Sequence, residues 1–317
     1  MNALLRIAGL AFFCVVAWAA GADEPRRLRV VATTSILADI ARQVGGDRVE
    51  VRALLPPRAQ VHGYEPTPAD VAVIGNAELI IVNGLGLEGW LARLVQEANA
   101  TSPIITASEH VEALAIDATH DHDDHGHDHG HDHGHDHGHD HGDFDPHAWL
   151  DARNGALYAE RIAEGLAIAD AAGAEDYRAW GAIYAGQLRL VDAWIRREIA
   201  TVPEPQRVLV TNHDSLRYFA RAYGLRALPL GGVDPEHEGN AAALATLIAD
   251  VRTAGVRAAF LEYGADGDRT VTQVAREAGI VIAGRLYTDT LAPPGEPGDS
   301  YLGLLLINAR MVARGLR

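Results

Sequence analysis

Short apolar runs rich in β-branched residues alternate along this chain with stretches whose apolar positions recur at helical spacing. Residues 28–33 (LRVVAT) read as a strand, and 36–44 as a helix that stops at Gly45 and Gly46. Residues 49–55 read as a second strand. Thr67, Pro68, Ala69 and Asp70 carry a helix start, with Thr67 as cap and Pro68 at the first helical position, where a missing N–H costs nothing. Residues 79–82 and 103–106 continue the alternation. From 174 to 201, the spacing of Tyr177, Trp180, Tyr184, Leu188, Val191, Ile195 and Ile199 predicts one long helix, ended by Pro203 and Pro205. Strand-like runs resume at 207–211, 225–230, 258–261 and 280–283, with helix-sized stretches between them.

Alternating strands and helices predict parallel sheets with helices on both faces. Two such halves flank the long helix. The expected fold class is therefore α/β, with two lobes joined by that helix; a single large sheet is the alternative the pattern leaves open. The expected boundaries are 23–173 for the first lobe, 174–201 for the connecting helix and 202–317 for the second lobe. Ligands of such folds bind beyond the carboxyl ends of the strands.

The first 22 residues stand apart. Arg6 lies in a short polar start, and the apolar run that follows, 7–20, is shorter than the roughly 20 residues of a membrane span. Ala17-Trp18-Ala19 and Ala20-Gly21-Ala22 have the small-x-small form of a cleavage site. Residues 1–22 are thus expected to be a signal peptide, cleaved near 19–22, and the mature protein to be periplasmic. The only cysteine, Cys14, falls inside this segment, and Phe13 precedes it where lipid attachment calls for a small residue. The mature chain then has neither disulfides nor thiolate ligands. All 27 basic residues are arginine, and the formal charge is −16, with nine aspartates between Asp121 and Asp145. An acidic balance without a basic stripe excludes nucleic acid as a partner.

Eleven of the sixteen histidines crowd into residues 120–142, HDHDDHGHDHGHDHGHDHGHDHG, which ends in four copies of His-Asp-His-Gly. Neutral imidazole is a good ligand for borderline-soft divalent ions, and the aspartates add charge attraction. Recurrent glycine and the absence of apolar residues deny the tract a stable helix or strand. It reads as a disordered collector of metal, zinc above all, whose secondary, weak sites are His120, His122, His125, His127, His129, His131, His133, His135, His137, His139 and His141. A solvated acidic linker is the plainer alternative, but a linker has no use for imidazoles.

Five histidines remain: His62, His110, His147, His213 and His237. His62 follows the strand that ends at Leu55, and His213 comes directly after 207–211. His147 sits in DPHAWLD (145–151), at a helix start, and Asp289 follows the strand at 280–283. Two fall in each half, as a cleft between lobes requires. A surface or capping role stays open for each histidine taken singly, and is preferred for His110 and His237.

Five stretches resemble one family: VHGYEPTPADV (61–71), DPHAWLD (145–151), TNHDSLRYFARAYGL (211–225), PLGGVDPEHEGNAAALATLI (229–248) and LYTDTL (286–291). Together with the His-rich insertion, they make the mature chain similar to the ZnuA-type zinc-uptake branch of the metal-binding solute-binding proteins of ABC transporters. The resemblance implies two α/β lobes joined by a rigid helix, with zinc in the cleft between them. It implies ligand status for His62, His147 and His213, and gives the fourth position to Asp289, with Glu65 or a water as the alternative. Leu216 and Arg217, and the stretch 262–266, depart from the family pattern.

Three imidazoles and a carboxylate suit tetrahedral zinc, whereas manganese members are expected to offer a carboxylate where His213 stands. Asp145 and Asp214 are the expected partners that orient the imidazoles. The expected function is capture of Zn(II) as transported cargo and its delivery to a membrane permease with a cytoplasmic ATPase; a periplasmic zinc chaperone is a further expected partner. A zinc buffer or chaperone without a dedicated transporter is the rival reading. A zinc hydrolase is disfavoured, because no His-Glu-x-x-His is present and four protein ligands leave little room for water. No enzymatic activity is expected.

Overall fold

The computed structural model describes residues 26–116, 143–231, 241–265 and 267–317. The expected signal peptide, the His-rich tract with all eleven of its weak sites, and His237 lie outside the described residues.

Strands β1 (Leu28–Ala32), β2 (Val49–Ala53), β3 (Leu79–Val82) and β4 (Ile104–Thr106) form one parallel sheet, ordered β2-β1-β3-β4. Strands β5 (Val208–Thr211), β6 (Arg226–Pro229), β7 (Ala258–Tyr263) and β8 (Val281–Tyr287) form a second, ordered β6-β5-β7-β8. There are two sheets, not one, and they share one topology. In each, the chain steps to one side of the first strand and then crosses to the other, opening a crevice at the carboxyl ends. Helices α1 (Ser35–Gly45), α2 (Pro68–Gly75), α3 (Leu91–Glu97) and α4 (Ala152–Ala169) accompany the first sheet. Helix α5 (Ala174–Ile199) leads to the second, whose helices are α6 (Arg217–Tyr223), α7 (Ala241–Thr253), α8 (Asp268–Ala278) and α9 (Tyr301–Leu316).

The inner strands β3 (LIIV) and β5 (VLVT) are buried at every position, as near-continuous apolar runs are when helices cover both faces. Pro68 opens α2 behind Thr67, as expected. β8 runs four residues beyond the predicted end at Ala283, because Gly284 and Arg285 break the apolar run without breaking the strand. A Cβ at position 284 would sit 2.4 Å from Met311 Sδ of α9, so the glycine leaves room for the Met311 side chain against the strand.

The two lobes share one core. A single cluster of buried residues takes in Val30 and Ile40 of the first lobe, Leu188 and Ile195 of α5, and Leu286 and Leu305 of the second. Hydrogen bonds stitch the same boundary. Trp149 Nε1 donates to the Thr288 carbonyl at 2.6 Å, the Tyr301 amide donates to Asp39 Oδ2 at 2.8 Å, and the Tyr301 hydroxyl donates to the Trp149 carbonyl. Tyr218 of α6 donates through its hydroxyl to the Asp145 carbonyl (3.2 Å) and accepts from the Leu114 amide (2.9 Å). Opening the lobes would break a close-packed interior as well as these bonds, so wide hinge motion is disfavoured. Among the described residues, no helix is long and apolar enough to cross a membrane.

Candidate metal centre

The four residues singled out from the sequence come together where the lobes meet. One ligand atom from each of His62, His147, His213 and Asp289 lies within 4.8 Å of all the others. His62 rides on the loop between β2 and α2. That loop is held down where Tyr64 donates to Asp70 Oδ2 at 2.7 Å and packs edge-on against Trp90. His147 precedes α4, in a turn where its amide donates to Asp145 Oδ1 at 2.9 Å. His213 and Asp289 each lie two residues past a strand end, of β5 and β8 respectively. His147 and His213 are fully buried and Asp289 nearly so, whereas His62 is half-exposed.

The donor atoms are close enough to share one ion: the two Asp289 spacings match a tetrahedral edge, and the His62–His147 spacing is shorter. His62 Nε2 is 3.0 Å from His147 Nε2; Asp289 places Oδ1 at 3.4 Å from His147 Nε2 and Oδ2 at 3.3 Å from His213 Nε2. A tetrahedron with bonds of about 2.0–2.2 Å has edges of roughly 3.3–3.6 Å. Each buried imidazole is oriented from behind. Asp145 Oδ1 lies 2.7 Å from His147 Nδ1, and Glu262 Oε2 lies 2.7 Å from His213 Nδ1. A proton held on each Nδ1 leaves the Nε2 lone pairs facing the common centre.

The charge distribution also calls for a cation. Both oxygens of Asp289 are buried and lack a well-directed hydrogen bond, their nearest donors being His147 Nε2 at 3.4 Å and His213 Nε2 at 3.3 Å. A carboxylate in that condition carries a large desolvation penalty unless positive charge is brought to it. Burial alone would raise the Asp289 pKa, but the three imidazoles, His213 foremost, outweigh it and hold the carboxyl far below the usual range. Burial would in turn lower the pKa of His213; Glu262 and then Asp289 override it and raise that pKa well above the ordinary value.

One expectation needs correcting. Asp145 does orient His147, but Asp214 does not orient His213. Asp214 lies 3.7 Å from Arg217, and burial pushes its carboxyl up to about 6. The orienting carboxylate is Glu262, which sequence reasoning passed over. It also accepts from the amides of Asn212 (3.0 Å) and His213 (3.3 Å) and from Ser215 Oγ (3.0 Å), so it clamps the whole turn. The readable signal was a glutamate inside the otherwise apolar run AAFLEY, on the strand next to β5. Glu65 is exposed and stands outside the cluster, as does the exposed His110.

Glu262→Gln keeps the size of the side chain and removes its charge. It is expected to weaken zinc binding by about 10–100-fold, the usual cost of losing an orienting carboxylate. Competition against a chromophoric chelator measures this, and an unchanged affinity would show that Glu262 serves the turn alone.

Known proteins fit this arrangement. The family model described as "Zinc-uptake complex component A periplasmic" (ZnuA) matches residues 30–315. The chain is 32% identical over 296 residues to the metal ABC transporter substrate-binding lipoprotein FimA of Streptococcus parasanguinis, covering 92% of this chain and 89% of that one. It is 30% identical over 316 residues to the manganese ABC transporter substrate-binding lipoprotein PsaA of Streptococcus anginosus, covering 97% and 96%. Among solved structures, the periplasmic metal binding protein of Candidatus Liberibacter asiaticus superposes with a TM-score of 0.77 at 26% identity, covering 92% of this chain and all of that one. The periplasmic zinc binding protein TroA of Treponema pallidum also gives 0.77, at 25% identity, covering 92% and 99%. The chain therefore belongs to the ZnuA family: it is a periplasmic, metal-binding substrate-binding protein of ABC transporters, which works with a membrane permease and its ATPase and is not an enzyme.

Proposed function

We propose that the cargo is Zn(II), held by His62, His147, His213 and Asp289 between the lobes and passed from there to the permease. The observation that carries this reading is the donor set. Three imidazole nitrogens and one carboxylate come within 4.8 Å of one another, with a histidine and not a second carboxylate at position 213. Zinc takes four nitrogen and oxygen donors readily, whereas manganese favours a larger, oxygen-rich shell and binds imidazole less strongly. Relatives are named for manganese as well as for zinc, so the ligand chemistry decides the proposal.

His62 is the one partly exposed member of the four, and so is the residue past which the ion enters and leaves. The three buried groups form a prepared floor. Their supports, Asp145 and Glu262, stay in place while His62 closes the shell. In this reading the His-rich tract at 120–142 gathers zinc near the cleft through many weak sites on one tether, and a periplasmic zinc chaperone is a second source of cargo. Cleavage near 19–22 frees the protein without a lipid on Cys14. Residues 23–173 and 202–317 act as the two lobes, with 174–201 as connector.

One titration tests these assignments. The mature chain and a variant lacking residues 120–142 are titrated with Zn(II) and Mn(II) at neutral pH. Expected is one tight zinc site in both proteins, at least about 100-fold tighter than for manganese as imidazole donors favour zinc. The weaker additional zinc ions are expected only with the tract present. Equal or tighter manganese binding overturns the zinc assignment. Loss of the tight site on deletion overturns the division of labour.

A further inference from the structure

The connecting helix α5 buries one face against both lobes, and its outward face is also apolar. Ile183 is 51% exposed, Leu190 72% and Trp180 52%. Ala179, Gly186 and Gln187 fill the positions between them, so the outer face carries no charge for about two turns. A surface helix ordinarily sets charged residues opposite its buried stripe. Charge borders the ridge at its two ends, the exposed Asp176 in the first turn and the exposed Arg197 in the last, and the exposed Arg310 of α9 stacks over Trp194 between Leu190 and Arg197.

We propose that this ridge is the interface of a weak homodimer, two copies of α5 packing antiparallel about a two-fold axis at Gly186 and Gln187. The sequence along the ridge is self-complementary about that point, which an interface shared by identical surfaces requires. Ile183 and Leu190 lie at equal distances on either side of the crossing, so each meets the other in the partner copy. By the same symmetry Trp180 covers the small Ala193, and Asp176 faces Arg197. Gly186 stands at the crossing itself, where a Cβ would meet no described atom within 4 Å, which allows close approach of the two backbones. Asp176 also contacts Arg48 at 2.9 Å but keeps 58% of its side chain exposed, so it can serve a second arginine.

The helix is about 39 Å long at 1.5 Å per residue. A single helix pair of that length covers less than the roughly 800 Å² per partner of a standard stable interface. The dimer is accordingly a dissociating one, with a constant in about the micromolar range. The ridge lies on the opposite side of α5 from the shared core, so pairing leaves the metal cleft free.

Sedimentation velocity of the mature chain across that concentration range is the test, with zinc stoichiometry confirming that every variant is folded. Expected is a concentration-dependent shift from monomer to dimer, abolished by Leu190→Arg. Arg197→Asp sets two acids face to face and is expected to weaken the dimer at least tenfold. Adding Asp176→Arg to it reverses both ends and restores the dimer. A chain that stays monomeric throughout, a dimer that survives Leu190→Arg, or a ridge that binds anionic lipid vesicles in place of a second copy overturns the proposal.

Discussion

Replacing His62, His147 and His213 together by alanine is expected to abolish tight zinc uptake by the purified protein. A four-ligand zinc site is worth roughly 10–16 kcal/mol, so each ligand contributes about 3 kcal/mol, or about 100-fold in affinity. The single substitutions should not be equal. His62 is half-exposed on a loop, so water can take its place in the shell, and His62→Ala is expected to cost the least. His147 and His213 are fully buried and each is backed by a carboxylate. Removing either ring leaves that carboxylate and Asp289 without their partner, so the cost includes the strain of uncompensated buried charge. Chelator competition on each variant, with thermal melts of the metal-free forms, separates lost coordination from lost stability. Tight zinc binding retained by the triple variant would place the site elsewhere.

The second large effect concerns pH. Zinc affinity is expected to climb about tenfold per pH unit through and beyond neutrality, not to level off near the ordinary histidine value of about 6.5. Although burial pulls the other way, Glu262 and Asp289 raise the pKa of His213 well above that value, so the metal-free site keeps a proton that zinc must displace. The same shift has an opposite consequence for the empty protein. A raised histidine pKa stabilises the fold fully below the unfolded value and loses that contribution as pH rises through the folded value. The metal-free form should therefore melt at lower temperature as the solution is made alkaline, because Glu262 and Asp289 are left facing a neutral ring. The zinc-loaded form should not, since the ion supplies the charge. Titrations and melts between mildly acidic and alkaline pH check both slopes. A plateau in affinity just above pH 6.5 would mean that the two carboxylates do not hold a proton on His213.

The carboxylate that raises the His213 pKa marks where the sequence stops being sufficient. That His62, His213 and Asp289 follow strands in two halves of the chain, and that His147 stands at a helix start, could be read directly, because strand periodicity and the rule for ligand placement in α/β folds both live in local pattern. Glu262 could not be assigned this way. Its neighbour in function, His213, is 49 residues away, and the contact exists only because β5 and β7 are adjacent in the sheet. Asp214, next to His213 in sequence, was the natural expectation, but a side chain one residue along the turn points elsewhere. The length of β8 was missed for a related reason: Gly284 looks like a strand breaker until α9 is seen lying on it.

By itself, then, the sequence determined the alternation of strands and helices and the long connector, and its motifs, through their family resemblance, pointed to the four residues expected to hold the ion. These depend on residue type and short spacing, which survive in one dimension. The tertiary structure alone decided that one core cluster spans both lobes, that Asp289 is buried among the imidazoles, and that Glu262 stands behind His213. Those facts depend on which strands lie side by side and on how completely water is excluded, and neither is written in any local stretch of the chain.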